Sequence, residues 1–526
     1  MAGTRRGVRW VLPAAAGVAA VLLGEGAAEV TAAIVDPNAS PITSVGAVLI
    51  DFSPAWLKEL VITLFGTADK LVLIILIGVV LAVVAGGVGV LEYWRRPFGR
   101  LVILLGGIVG AVAVLTRANP SLLSVVPVAV ATLVPILVLP FLLRRIPVAA
   151  PAKVAAGAPA DAESTPQPPD DGPSRRRFFT WVGGAAALGV LGTVGGYVLQ
   201  GGARTATAIR NAFNLPSPAV TAAPIPAGAE LDVPGITKLV TPNERFYRID
   251  TALVVPQIDP NTWKLAITGM VDEPFELTWD ELIALPLEES YTTLTCVSNP
   301  VGGGLAGNAR WLGYPIRHLL ARAKPSSNAD MVLSTSQDGF TAGTPLVALT
   351  DDRNAILAIG MNGQPLPAEH GFPVRMVVPG LYGYVSATKW VVELKVTRFD
   401  IDRAYWTNNG YSAMGPVKIA CRIDRPLQTS VAAGPFVIAG VAWHQHVGIS
   451  KVEVQIDGGD FNEAELATAI SDDTWVQWSW PWDAVKGSHS IRARATGADG
   501  EVQTAHRQGA VPDGATGWQE IFVDVF

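Results

Sequence analysis

The chain has 526 residues, half of them hydrophobic, and a mean hydropathy of +0.35, which is too apolar for one ordinary soluble globule. A formal charge of −6 leaves no basic stripe to displace counterions from phosphates, so nucleic acid is excluded as a partner class. Two cysteines, Cys296 and Cys421, are too few for a disulfide scaffold of this size.

A bilayer core asks for a helix of roughly 18 or more apolar residues. Five such spans are predicted, near residues 10–34, 70–92, 101–117, 121–143 and 179–200. Arginine clusters orient them, because short positive loops stay on the cytoplasmic side. Arg5, Arg6 and Arg9 put the N-terminus inside, and Arg95, Arg96 and Arg100, then Arg144 and Arg145, then Arg175, Arg176 and Arg177 return to that side. Five spans satisfy all four clusters if residues 45–68 do not cross. Asp51, Pro54, Lys58 and Glu59 interrupt that run, which is assigned to an amphipathic or re-entrant segment on the outer face. The predicted organisation is a helical transmembrane region over 1–146 with four spans, an Ala/Pro-rich cytoplasmic linker over 147–174, and a fifth span over 175–204. The fifth opens SRRRFFTW and resembles a twin-arginine export signal placed internally; an ordinary anchor helix is the alternative, and both put the following domain outside.

In the first span, Glu25 and Glu29 lie four apart and so on one helical face. They are read either as proton-uptake groups near a quinone or as residues at the outer interface. None of the six histidines, His318, His370, His444, His446, His489 and His506, falls in the membrane part, so no bis-histidine haem is expected between these helices.

From residue 205 the composition becomes that of a soluble globule. Over 205–410, strand patterns such as WKLAITGMV and ADMVLST alternate with helix-like TWDELIAL and PIRHLLARA, predicting an α+β domain. Thr278 and Glu281 are spaced as a capping box. Over 411–526 nearly all is short strands, with hairpins predicted around Gly458 and Gly459 and in HSIRARATGADGEVQ, which suggests an immunoglobulin-like β-sandwich.

Cys296 sits in YTTLTCVSNPVGGGLAGNARW, at the end of a β-prone run. A strand end is a rigid mount, and Gly302, Gly303 and Gly304 allow close backbone approach to a large ligand. Its thiolate suits a transition metal or nucleophilic attack, although a lone cysteine is more often a small buried hydrophobe. The latter reading is kept for Cys421 in VKIACRIDRP. In MNGQPLPAEHGFPVRMVVPGLYGYVSATKW, His370, Arg375 and Lys389 lie among glycines and suit an anionic ligand such as a phosphate, or else a surface loop of scattered charges.

The string MNGQPLPAEHGFPVRMVVPG with the later KW, the cysteine followed by Asn299 and ARW, and the β-rich C-terminal part together resemble the sulfite oxidase family of molybdopterin enzymes, over about residues 240–526. The resemblance implies a cofactor domain of that fold, a molybdenum held by two pterin dithiolene sulfurs and one cysteine thiolate, and an immunoglobulin-like domain that dimerises in relatives, hence a possible homodimer. The membrane half is outside the family pattern. Carried over by position, Cys296 is the molybdenum ligand, His370 and Arg375 contact the pterin, Lys389 helps hold its phosphate, Asp338 hydrogen-bonds it, and Ser386 and Asn299 belong with the cofactor-binding set. Arg248 is an active-site arginine and Tyr411 stands near the substrate oxygen, whereas Asp250 occupies a position that is histidine in sulfite oxidases. Where sulfite-oxidising relatives have anion-binding arginines, this chain has Pro300 and Val301, and WVQWSWPW contributes none.

The expectation is therefore oxygen-atom transfer on a small sulfur or N-oxide substrate outside the cytoplasmic membrane, sulfoxide-type reduction favoured and sulfite oxidation the alternative. Electrons pass to or from a partner or the quinone pool. A membrane-tethered binding protein without catalysis is the rival from another class, and molybdenum analysis separates the two.

Overall fold

The computed structural model describes residues 3–36, 39–65, 69–117, 121–147, 175–199 and 202–526. All of the predicted linker beyond residue 147 lies outside the described residues. The chain divides into two compact units, residues 1–53 with 61–202, and residues 54–60 with 203–526.

The first unit is helical: α1 (Gly3–Val35), α2 (Pro41–Phe52), α3 (Ala55–Phe65, whose first residues belong to the second unit), α4 (Asp69–Trp94), α5 (Phe98–Leu115), α6 (Val126–Leu143) and α7 (Arg175–Leu199). Five segments are long and apolar enough to cross a membrane: Trp10–Val35, Lys70–Trp94, Phe98–Leu115, Leu122–Leu143 and Arg176–Leu199. They match the five predicted runs. The interrupted stretch at 45–68 forms α2 and α3, of 12 and 11 residues, too short to span.

Small residues let these helices meet backbone to backbone, the usual source of affinity where water supplies no hydrophobic drive. A Cβ on Gly26 of α1 would collide with the carbonyl of Gly189 in α7. Glu29 is 5% exposed and accepts the Ser40 hydroxyl at 2.6 Å, while Ser40 caps α2 by accepting from the Thr43 N–H. Glu29 is thus enclosed by protein and hydrogen-bonded.

The second unit holds two α+β sheets and a β-sandwich. Its strands are β1 (Lys264–Gly269), β2 (Phe275–Thr278), β3 (Glu288–Thr295), β4 (Ala306–Pro315), β5 (Met331–Ser336), β6 (Thr341–Pro345), β7 (Ile356–Met361), β8 (Gln364–Pro365), β9 (Arg375–Val377) and β10 (Val391–Thr397). One sheet runs β2-β1-β10-β5-β6, with β1 and β10 parallel; the other runs β3-β4-β7-β8, with β9 also on β7. Every residue of β7 is buried, as its unbroken ILAIGM run requires of a strand covered on both faces. The predicted capping box is present, Thr278 accepting from the Glu281 N–H while Glu281 accepts from the Thr278 N–H at 2.8 Å.

The sandwich follows: β11 (Ala420–Arg425), β12 (Ser430–Val431), β13 (Gly434–Trp443), β14 (Ile449–Ile456), β15 (Asn462–Glu463), β16 (Glu465–Leu466), β17 (Val476–Ala484), β18 (Gly487–Gly497) and β19 (Gln519–Val525). Its sheets run β11-β13-β17-β16 and β12-β19-β18-β14-β15. Alternation decides its faces: Val452 and Val454 of β14 point inward with Ile491 and Ala493, while Glu453 outside accepts from Arg494. The hairpin expected at Gly458 joins β14 to β15, with Asp457 and Gly458 both at positive φ. Tyr411 and Val417 still pack in the core of the α+β part, whereas Ile419 and Cys421 pack in that of the sandwich.

Candidate functional site

Cys296 is the first residue beyond β3. It is 9% exposed, is in no disulfide, and donates its N–H to Leu305 O at 2.9 Å. The loop that follows is closed by one side chain. Asn299 donates its N–H to Cys296 O at 3.1 Å and accepts the Leu305 N–H on Oδ1 at 2.8 Å. Asn299, expected among the cofactor contacts, thus uses its carbonyl to shape the ligand loop. The strand that delivers Cys296 is also braced from the sandwich: Thr295 Oγ1 accepts from Gln445 Nε2 at 2.8 Å, and the Thr293 hydroxyl accepts the Trp475 N–H at 2.9 Å.

The HGFPVR segment supplies a second group of residues. Arg375 opens β9 and is 5% exposed, with its guanidinium 5.1 Å from the fully buried ring of Trp311. It donates to Met376 O at 3.3 Å, to His370 O at 3.2 Å and to Ala387 O at 3.5 Å. Among the described residues no carboxylate pairs with it. Burial pulls its pKa down to about 10, and the nearby Tyr247 works against that. His370, 3% exposed, meets Asn243 O at 3.2 Å through Nε2, which donates if the ring is the Nε2–H tautomer. Burial, then Arg375 and Lys389, hold its pKa down to about 3, so the ring is neutral.

Lys389 and Arg248 share one carboxylate. Lys389 Nζ donates to Asp250 Oδ2 at 2.7 Å and to Glu369 O at 3.0 Å, and Arg248 Nε donates to the same Asp250 oxygen at 3.0 Å. Arg248, expected as an active-site arginine, is one member of a pair that shares Asp250, whereas among the described residues no carboxylate pairs with buried Arg375. Asp338 sits in the field of this group, its pKa raised by burial and further by Asp250, and Oδ1 accepts the Phe340 N–H at 3.3 Å. Ser386 is wholly buried and donates its hydroxyl to Tyr382 O at 2.9 Å. Tyr411, 3% exposed, packs its ring on Trp406 at 5.1 Å and on Tyr384 at 5.5 Å.

Two tyrosines escaped the sequence reading. Tyr247 stacks on Phe246 with centroids 5.3 Å apart, and its pKa is raised by burial, raised further by Cys296 and lowered by Arg375, so it feels both walls of the site. A Cβ on Gly383 would stand 3.9 Å from Thr295 O and 4.0 Å from the Tyr247 hydroxyl, which fixes Tyr247 beside the end of β3. Tyr382 is pushed up to about 12 by burial, with Cys296 and Asp513 adding to it. The only signal of Tyr247 in the sequence is an aromatic beside Arg248 in FYRID.

These residues fit a molybdopterin. A buried guanidinium without a counter-ion costs on the order of several kcal/mol, and an anionic group bound beside it removes that cost. A soft sulfur donor on a rigid strand end meets the metal's preference. Cys296 would ligate the molybdenum; Arg375, His370 and Lys389 would hold the pterin and its phosphate.

The family described as "Oxidoreductase molybdopterin binding domain" matches residues 252–406, and "Bacterial Ig domain" matches residues 420–493. Mitochondrial sulfite oxidase of Rattus norvegicus is 30% identical over 287 residues, covering 46% of this chain and 52% of that protein. The chain thus spans about half the length of the mammalian relatives it matches. The uncharacterized oxidoreductase YuiH of Bacillus subtilis is 33% identical over 160 residues, 30% of this chain and 76% of that protein. Among solved structures, the sulfane dehydrogenase SoxCD from Paracoccus pantotrophus aligns with a TM-score of 0.49 at 22% identity, over 55% of this chain and 82% of that one.

Proposed function

Because this chain belongs to the sulfite oxidase family of molybdopterin-dependent oxidoreductases, we propose that it transfers an oxygen atom from or to a small sulfur or N-oxide substrate outside the cytoplasmic membrane, with sulfoxide reduction favoured. When bound, the molybdenum centre supplies two-electron oxygen-atom exchange. The chain's own residues orient that centre and set the charge of the pocket. The balance of charge carries the reading. Arg248 and Lys389 share Asp250, Pro300 and Val301 occupy the ligand loop, and Arg422, which donates to Gly303 O at 3.1 Å, is paired with Asp424 at 2.7 Å. A sulfite dianion needs several charge-assisted donors to replace its hydration, and here Arg248 and Lys389 already share Asp250 while Arg422 is paired with Asp424. A neutral sulfoxide needs fewer.

Purified enzyme with a reduced dye as donor is expected to turn over a sulfoxide well and to oxidise sulfite poorly. Tyr411 is proposed to donate a proton to the departing oxygen, so Tyr411→Phe should slow sulfoxide turnover by about 10²-fold with molybdenum content unchanged. Sulfite oxidation is the second reading, favoured by the relationship to rat sulfite oxidase. Efficient, saturable sulfite oxidation would establish it and remove the first.

We further propose a multi-pass protein of the cell membrane, with a catalytic domain over 205–410 and an immunoglobulin-like domain over 411–526 on the outer face. Arg176 and Arg177 favour the cytoplasmic side. Residues 54–60, which follow the first span, fold in the same compact unit as residues 203–526, which supports one side for both. Protease added to intact cells should cleave within 205–526 and spare a tag at residue 160; the reverse pattern would invert the topology. Electrons are proposed to come from the quinone pool or a separate carrier, and a homodimer to form through the sandwich.

A further inference from the structure

Away from the molybdopterin site, three potential metal ligands converge at one end of the sandwich. His444 follows the last residue of β13, and Asp499 and Glu501 flank Gly500 in the turn after β18. His444 is 8% exposed, and its Nδ1 atom is buried with no hydrogen-bond partner. Asp499 Oδ1 lies 4.0 Å from Nδ1 and Glu501 Oε2 lies 4.0 Å from Nε2, both too far for hydrogen bonds. One donor atom from each of the three residues falls within 4.8 Å of the others.

The space between these groups is kept open by a glycine. A Cβ on Gly497 would stand 2.5 Å from Asp499 Oδ1 and 2.7 Å from His444 Nδ1. Gly497 is not among the glycines at positive φ, so its backbone does not call for glycine; the room beside His444 does.

We propose that His444, Asp499 and Glu501 bind a divalent transition-metal ion of the zinc type. A buried imidazole nitrogen with no partner is costly, and a metal satisfies it. Two carboxylates balance the double charge. The imidazole selects against calcium and magnesium, which take oxygen ligands. Tetrahedral zinc needs donors roughly 3.4 Å apart, a closure from the present 4.8 Å limit that the side chains of Asp499 and Glu501, 49% and 59% exposed, are able to make. Water completes the fourth position.

Such an ion acts on the catalytic part through the next residue. His444 O accepts the N–H groups of Val447 and Gly448 at 3.0 and 2.8 Å, and Gln445 donates to Thr295, the neighbour of Cys296. The ion fastens this turn to the end of β18 and so steadies the donor that braces Thr295. The ligand set itself does not depend on the proposed oxygen-transfer chemistry.

The test uses the full chain in detergent, stripped with a chelator and titrated with Zn²⁺ by calorimetry, with zinc and molybdenum counted by mass spectrometry. One zinc per chain is expected, with a rise in Tm that Ca²⁺ does not reproduce. The double variant Asp499→Asn/Glu501→Gln alters only solvent-exposed groups and should weaken zinc binding at least tenfold. Gly497→Ala, which puts a methyl group between the ligands, should do the same, and molybdenum content should be unchanged in both. Equal zinc binding by the unmodified chain and the double variant, or no zinc bound by the unmodified chain, would overturn the proposal.

Discussion

Cys296→Ser is expected to abolish turnover and to erase the metal's absorption, whereas Cys421→Ser should leave both nearly intact. The two cysteines differ in what surrounds the sulfur. Cys296 ends a strand, is held in line by its own N–H on Leu305 O, and opens into a loop shaped by Asn299. A serine there keeps the position and replaces a soft donor by a hard, weakly acidic hydroxyl, a poor ligand for the metal. Cys421 lies in the middle of a β-ladder opposite Ala442, 2% exposed, and burial pushes its thiol well above the usual range. It is a packing group, and its replacement buries a hydroxyl at a cost of roughly 1–3 kcal/mol of stability. Absorption spectra, molybdenum analysis and dye-linked turnover of both variants make the check. Equal loss in both would point to a shared structural role and against Cys296 as the ligand.

The parts legible in the sequence are those whose cause is local. Uninterrupted apolar runs announced the spans, and charges with a proline inside 45–68 announced where the chain would not cross. Thr278 and Glu281 are three residues apart, so their capping box is written in spacing alone. The hairpin at Gly458 follows from turn chemistry between two alternating segments. What stayed hidden depends on groups distant in the chain. The partner of Glu29 is hidden until the chain turns and Ser40 returns to it. Arg248 and Lys389 read as two independent cations until Asp250 is found on both. Asn299 and Ser386 were placed by position within a motif, yet each spends its side chain on nearby backbone. Tyr247 matters because residues 247, 296 and 375 close on one another, which no periodicity records.

Arg375→Ala should strip the enzyme of cofactor more thoroughly than His370→Ala. Arg375 is the buried cation for which no described carboxylate provides balance, and its donors already reach three backbone carbonyls, so the fork is oriented before any ligand arrives. A charge-assisted hydrogen bond contributes about 1.5–3 kcal/mol, and each 1.4 kcal/mol is tenfold in affinity. Losing the guanidinium should therefore lower pterin and molybdenum occupancy by about tenfold or more. His370 is neutral and held by one bond to Asn243, so its removal should cost less. Arg375→Lys keeps the charge and loses the planar fork, and should fall between the two. The sandwich, with its own core, should melt unchanged in all three. Pterin fluorescence after denaturation, metal analysis and thermal melts give the answer, and full occupancy in Arg375→Ala would remove that residue from the site. Stability of the cofactor-free protein supplies a second readout. If the guanidinium is there for an anion, its removal relieves an unbalanced buried charge and offsets part of the cavity left behind, so Arg375→Ala should destabilise the cofactor-free form much less than the loaded form.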